Sequence, residues 1–107
     1  MGAWGEEPFE SDAALDAIDP LFDTIVEGAE QIILDSDHPH EILGAAEILI
    51  RLERLYQASD EAVTSIFETA NEEMAVVGQW RDPRAREKVL IRVANAADRE
   101  LGKRKLR

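Results

Sequence analysis

The chain has 107 residues, 12 Lys and Arg against 23 Asp and Glu, a net charge of −11 and no cysteine. That length fits one domain around a single core, and a hydrophobic fraction of 45% is too high for an acidic disordered tail. Without cysteine there are no disulfides, thiolate metal sites or thiol nucleophiles, and so negative a chain is a poor partner for nucleic acid or an anionic membrane.

Residues 1–10 read as a short non-helical lead carrying Trp4 and Phe9. Gly2, Gly5 and Pro8 let it fold tightly, so both rings can plug the core. Ser11 then caps a short helix over 12–19, and Asp19-Pro20 reads as the N-cap and first position of a second helix. In that helix Leu21, Phe22, Ile25, Val26, Ala29, Ile32 and Ile33 recur at three and four, up to the stop at Asp35-Ser36-Asp37. His38-Pro39 starts a third helix running to about Gln57, apolar nearly all round, as suits the middle of a bundle or a subunit interface. Ser59, followed by Asp60 and Glu61, opens a fourth, buried through Val63, Ile66, Phe67, Ala70, Met74 and Val77, with Gly78 as its stop. Asp82-Pro83 starts the last, with Val89, Leu90, Val93, Ala97 and Leu101 as its core stripe. No segment alternates with the period of a strand. The expectation is a single all-α domain over 1–107, an antiparallel bundle of four to five helices behind a short lead.

Charge is segregated along the chain. The first fifty residues hold thirteen acids and no Lys or Arg, whereas residues 81–107 hold ten Lys and Arg and four acids. Asp12, Asp16, Asp19, Asp23, Glu27 and Glu30 step by three and four, which places them on one helical face away from the apolar stripe. Arg84, Lys88, Arg92, Arg99 and Lys103 form the opposite stripe on the last helix. The plain reading is two solvated faces attracting one another across the bundle. The functional reading makes the acidic ridge a docking surface for a basic protein.

The opening M-G-A-W-G-E-E-P-F-E-S-D-A-A-L-D resembles the start of a family of small, mostly bacterial domains of unknown function, number 4259, whose members begin G-[AT]-W-G-x-G-P-F-[DE]-N-D-x-A-x-D. Gly2, Ala3, Trp4, Gly5, Pro8, Phe9, Glu10, Asp12, Ala14 and Asp16 match, while Glu7 and Ser11 depart from the usual glycine and asparagine. The resemblance covers about the first fifth of the chain and implies no activity. The motif residues otherwise read as structural: Trp4 and Phe9 form a lid, and Asp12 and Asp16 oppose the positive end of the first helix.

Chemistry is sparse. His38, His40 and Glu41 are weak candidate metal ligands, because His-x-His is a strand spacing placed here at a helix start. There is no nucleophile elbow or phosphate loop. Glu27 with Glu30, and Glu68 with Glu72, have the spacing of the carboxylate pairs in all-α Mg²⁺-dependent nucleotide pyrophosphatases, but Glu27 and Glu30 lie away from the apolar stripe. The basic C-terminus reads as a solvated tail. The start lacks the basic region of a signal peptide, and Glu6 stands where a myristoylation motif has Ser or Thr, which points to the cytoplasm. The resulting expectation is no catalysis and no cofactor. The chain is read as a bacterial interaction protein, an immunity or antitoxin-like inhibitor holding a basic protein on its acidic face. The alternatives are the Mg²⁺ pyrophosphatase and a homo-oligomer, such as a dimer, built through the third helix.

Overall fold

The apolar periodicity becomes four α-helices in the computed structural model, which describes the backbone of residues 12–105 and the side chains of residues 18–105. They are α1 (Asp12–Asp35), α2 (Pro39–Arg51), α3 (Asp60–Met74) and α4 (Pro83–Lys105), with short 3₁₀ turns at Leu55–Gln57 and Val77–Gln79. No strand occurs among the described residues, so the chain is all-α. The lead with Gly2, Trp4, Gly5, Pro8 and Phe9, the Ser11 cap and the side chains of Asp12 and Asp16 lie outside the described side chains.

Three boundaries read from the sequence need correction. Asp19-Pro20 does not start a helix: α1 runs continuously through Pro20. A proline in that position leaves one carbonyl of the preceding turn without its N–H partner but does not forbid helical geometry. The Pro20 carbonyl itself also accepts from Thr24 Oγ1 at 3.0 Å. The helix read as reaching Gln57 stops at Arg51, and Leu55–Gln57 is a separate 3₁₀ turn. The helix read as running through Val77 to a stop at Gly78 ends at Met74, and Val77–Gln79 is a separate 3₁₀ turn.

The end of α2 is a Schellman motif made without glycine. Arg54 N–H donates to the Leu49 carbonyl at 2.9 Å, Glu53 N–H donates to the Ile50 carbonyl at 3.1 Å, and Glu53 takes φ 56° to close the pair. Left-handed backbone costs an L-residue roughly 1–2 kcal/mol and glycine little. Glycine's larger unfolded-state entropy offsets part of that. Glu53→Gly is therefore expected to stabilise the fold by about 1 kcal/mol, read as a higher denaturation midpoint at unchanged slope. A loss of stability would mean that the Glu53 side chain contributes more than its backbone costs.

Other caps follow the sequence. Ser59 Oγ accepts from Ala62 N–H at 3.2 Å at the start of α3, and Asp82 Oδ1 accepts from Ala85 N–H at 3.1 Å at the start of α4. Glu30 of α1 adds a cap from a distance, its Oε1 accepting from Ser59 N–H at 2.9 Å.

The core joins Ile33 of α1, Leu49 of α2, Val63 and Ile66 of α3, and Leu90 and Val93 of α4, all fully buried. The most extensive packing is between α3 and α4, then between α1 and α2. Ile42, Leu43, Ala45, Ala46 and Leu49 of α2 are taken into this core, leaving Ile48 as the exposed large apolar side chain of that helix.

The basic end of α4 does not read out as a purely solvated tail. Arg104 turns inward and donates from Nη1 to Asp60 Oδ1 at 2.6 Å, from Nε to Glu100 Oε1 at 3.2 Å and from Nη2 to the Ala58 carbonyl at 2.7 Å. Its Nη2 also approaches the carbonyls of Leu55 and Tyr56. One guanidinium thus ties the α2–α3 connection and the first turn of α3 to the last turns of α4. Burial alone would lower its pKa; the hydrogen bonds to Asp60 and Glu100, with their charges, outweigh that and push it up.

Candidate interaction surface on the first helix

Helix α1 buries a narrow stripe of Val26, Ala29 and Ile33 against the other helices. At about 100° per residue, the acids fall along one flank of that stripe, and Leu21, Ile25 and Ile32 fall along the other. The apolar period puts these three on the face that should pack, yet they are 62%, 40% and 44% exposed. The reason is position: α1 packs mainly on α2 and α3 and meets α4 little, so an edge helix buries less of its circumference than its apolar pattern offers.

The acidic ridge divides into anchored and free groups. Asp19 lies 3.9 Å from Arg54 Nη2, and the same guanidinium stacks 4.9 Å from the Phe22 ring centroid. Glu30 is half-buried and caps α3. Asp23 and Glu27 are exposed and form no ion pair among the described residues. Beyond them a shallow depression of about 350 Å³ is lined by Glu27, Glu30, Gln31, Leu34 and Asp35.

The basic stripe of α4 does not cover this ridge. Arg92 reaches Glu47 of α2, which also holds Arg51 at 3.2 Å. Arg104 is bound to Glu100 and Asp60. No ion pair joins α1 to α4 among the described residues. The two charged faces therefore remain separate fields on the surface rather than neutralising one another.

The remaining sequence candidates do not converge. Glu41 accepts a hydrogen bond from Ser36 Oγ at 2.8 Å, His38 occupies the N-cap of α2, and His40 packs edge-on to Trp80, 5.4 Å between centroids. Among the described residues no three His, Cys, Asp or Glu side chains gather as metal ligands. Glu27, Glu68 and Glu72 are all exposed, whereas a site enclosing Mg²⁺ within the bundle would need them turned inward. Among the described residues no helix is long and apolar enough to cross a membrane.

Two recesses escaped the sequence reading. A cleft of about 400 Å³ between the end of α2 and α4 has Ile50, Leu55 and Ala96 as apolar wall, with Tyr56, Arg99 and Lys103 at its rim. A second, of about 340 Å³, lies between α2 and α4 beside His40, Trp80 and Arg86. Both depend on residues that meet only through tertiary packing, so no local spacing signals them. Protein-family models, curated proteins and solved structures offer no significant match to the chain.

Proposed function

We propose that the protein is an interaction module that holds a basic protein on the acidic flank of α1, in the manner of an immunity or antitoxin-like inhibitor of the bacterial cytoplasm. The observation that carries this reading is the free part of the ridge: Asp23 and Glu27 stand exposed, while the ion pairs formed among the described residues fall on Asp19, Glu47, Asp60 and Glu100. A cluster of like charge left without internal partners raises the encounter rate with an oppositely charged surface and penalises acidic competitors. The exposed Leu21, Ile25 and Ile32 on the opposite flank supply apolar area that a partner gripping α1 from both sides would bury. The frame that presents the ridge is an antiparallel pair of helical hairpins, α1 with α2 and α3 with α4. Its support is the three-residue link between α1 and α2 and the contact of the α4 end with the α3 start.

Asp23 and Glu27 can be reversed without touching the groups that hold the fold, whereas Asp19 and Glu30 cannot. The double variant Asp23→Lys/Glu27→Lys is expected to weaken partner binding roughly a hundredfold at low salt, a little over 1 kcal/mol per reversed charge, with an unchanged helical melt. Equal affinity of variant and parent would remove α1 from the interface.

A further inference from the structure

Arg86, in the first turns of α4, carries an unusual burden. Its Nε and Nη2 are sealed from solvent and have no hydrogen-bond partner in the protein. Buried donors are almost always paired, and an unpaired guanidinium edge is among the more costly exceptions. The guanidinium stacks 4.2 Å from the Trp80 ring centroid, which fixes its plane. Trp80 is in turn flanked edge-on by His40. The nearest acidic side chain of the surrounding recess is Glu47, and its two oxygens are engaged by Arg51 and Arg92. The acidic group of the local cap, Asp82, is committed to the Ala85 N–H.

From this arrangement we infer that the recess between α2 and α4 is a binding site for a compact oxyanion, a phosphate or carboxylate group, held side-on by Nε and Nη2 of Arg86. That edge of a guanidinium presents two parallel N–H groups at the spacing of two oxygens on one anion. The recess, about 340 Å³ and walled by Leu43, Gly44 and Val89, is large enough for such a group. Gly44 adds to the room, since nothing lies within 4 Å of where its Cβ would be. Because that edge is sealed, an ion reaches it only when a covering side chain moves aside, and Trp80, which lies over the guanidinium and lines the recess, is placed to do so. The site is separate from the acidic flank of α1 and stands whether or not that flank binds a protein.

The test is a titration of the ¹⁵N-labelled full chain with inorganic phosphate and, separately, acetate at constant ionic strength, with chloride as the control. The Arg86 Nε–H and Trp80 Nε1–H resonances are expected to shift saturably with phosphate, acetate or both, and not with chloride. Saturation by phosphate alone assigns a phosphate ligand, and by acetate alone a carboxylate. Arg86→Lys keeps the charge but lacks the fork, so its affinity should fall at least tenfold. Arg86→Met should show no saturable binding, should melt no lower than the parent in chloride, and should lose any rise in melting temperature that the anion gives the parent. Shifts that follow ionic strength without saturating, or equal affinity in Arg86→Lys, would overturn the assignment. Arg86→Lys decides the matter should Arg86→Met not fold.

Discussion

Arg104→Ala is expected to destabilise the protein by about 3 kcal/mol, in the range for removing one partner of a buried ion pair, and to lower the melting temperature by roughly 15 °C. The cost lies mainly in what the guanidinium leaves behind. Glu100 has only 7% of its side chain exposed and would be left as an unpaired buried carboxylate. The Ala58 carbonyl would lose its 2.7 Å donor, and the connection carrying Leu55 would lose its tie to α4. The bond to Asp60 contributes less, because that carboxylate is 82% exposed and screened by water. Adding Glu100→Gln to Arg104→Ala should therefore recover on the order of 1–2 kcal/mol, whereas adding Asp60→Asn should recover almost nothing; chemical denaturation of the double-mutant cycle measures both. Equal recovery from the two would mean that the clamp acts through its exposed pair. Since the pKa of Arg104 is raised, the contribution of its charge is complete below the ordinary guanidinium range and fades only as pH climbs past it.

Pro20→Ala is expected to do the opposite. Proline inside a helix costs about 3 kcal/mol relative to alanine, and alanine gives back about 0.4–1 kcal/mol through the freer unfolded chain. The net expectation is a gain of about 2 kcal/mol in denaturation, because α1 is continuous across Pro20 and an alanine there supplies the missing N–H. The sign separates two accounts of the same dipeptide. Were Pro20 the first residue of a helix capped by Asp19, its N–H would have no intrahelical acceptor, and alanine would be neutral or slightly destabilising.

That dipeptide also shows where sequence reasoning runs out. The Asp-Pro signal reads correctly at Asp82-Pro83, where Asp82 accepts from the N–H three residues on, and misreads at Asp19-Pro20, where the helix continues on both sides. The local chemistry is identical; the difference is whether the preceding residues also become helical. Apolar period identified the stripes of α3 and α4, since Val63, Ile66, Ala70, Leu90, Val93 and Ala97 are all buried. It overstated α1, because periodicity reports how much surface a helix could bury and not how many neighbours it receives. Arg104 was illegible for another reason. Its i, i+4 pairing with Glu100 is local, but its other acceptors, Asp60 and the carbonyls of Leu55, Tyr56 and Ala58, lie 44–49 residues earlier, and the carbonyls carry no side-chain signature. Glu53 gave no warning either, since the left-handed cap it forms is ordinarily marked by glycine or asparagine. Of the acidic ridge, the i, i+3 and i, i+4 spacing placed the groups on one flank, but only tertiary contacts separate Asp23 and Glu27 from Asp19 and Glu30.

The most direct test of the docking account is a paired capture from bacterial lysate on the immobilised full chain and its Asp23→Lys/Glu27→Lys variant, at low and high salt, read by mass spectrometry. The account predicts a basic protein that the parent retains at low salt and releases at high salt, and that the variant does not retain. Proteins retained equally by both chains, or no salt-sensitive basic protein on the parent, would contradict it.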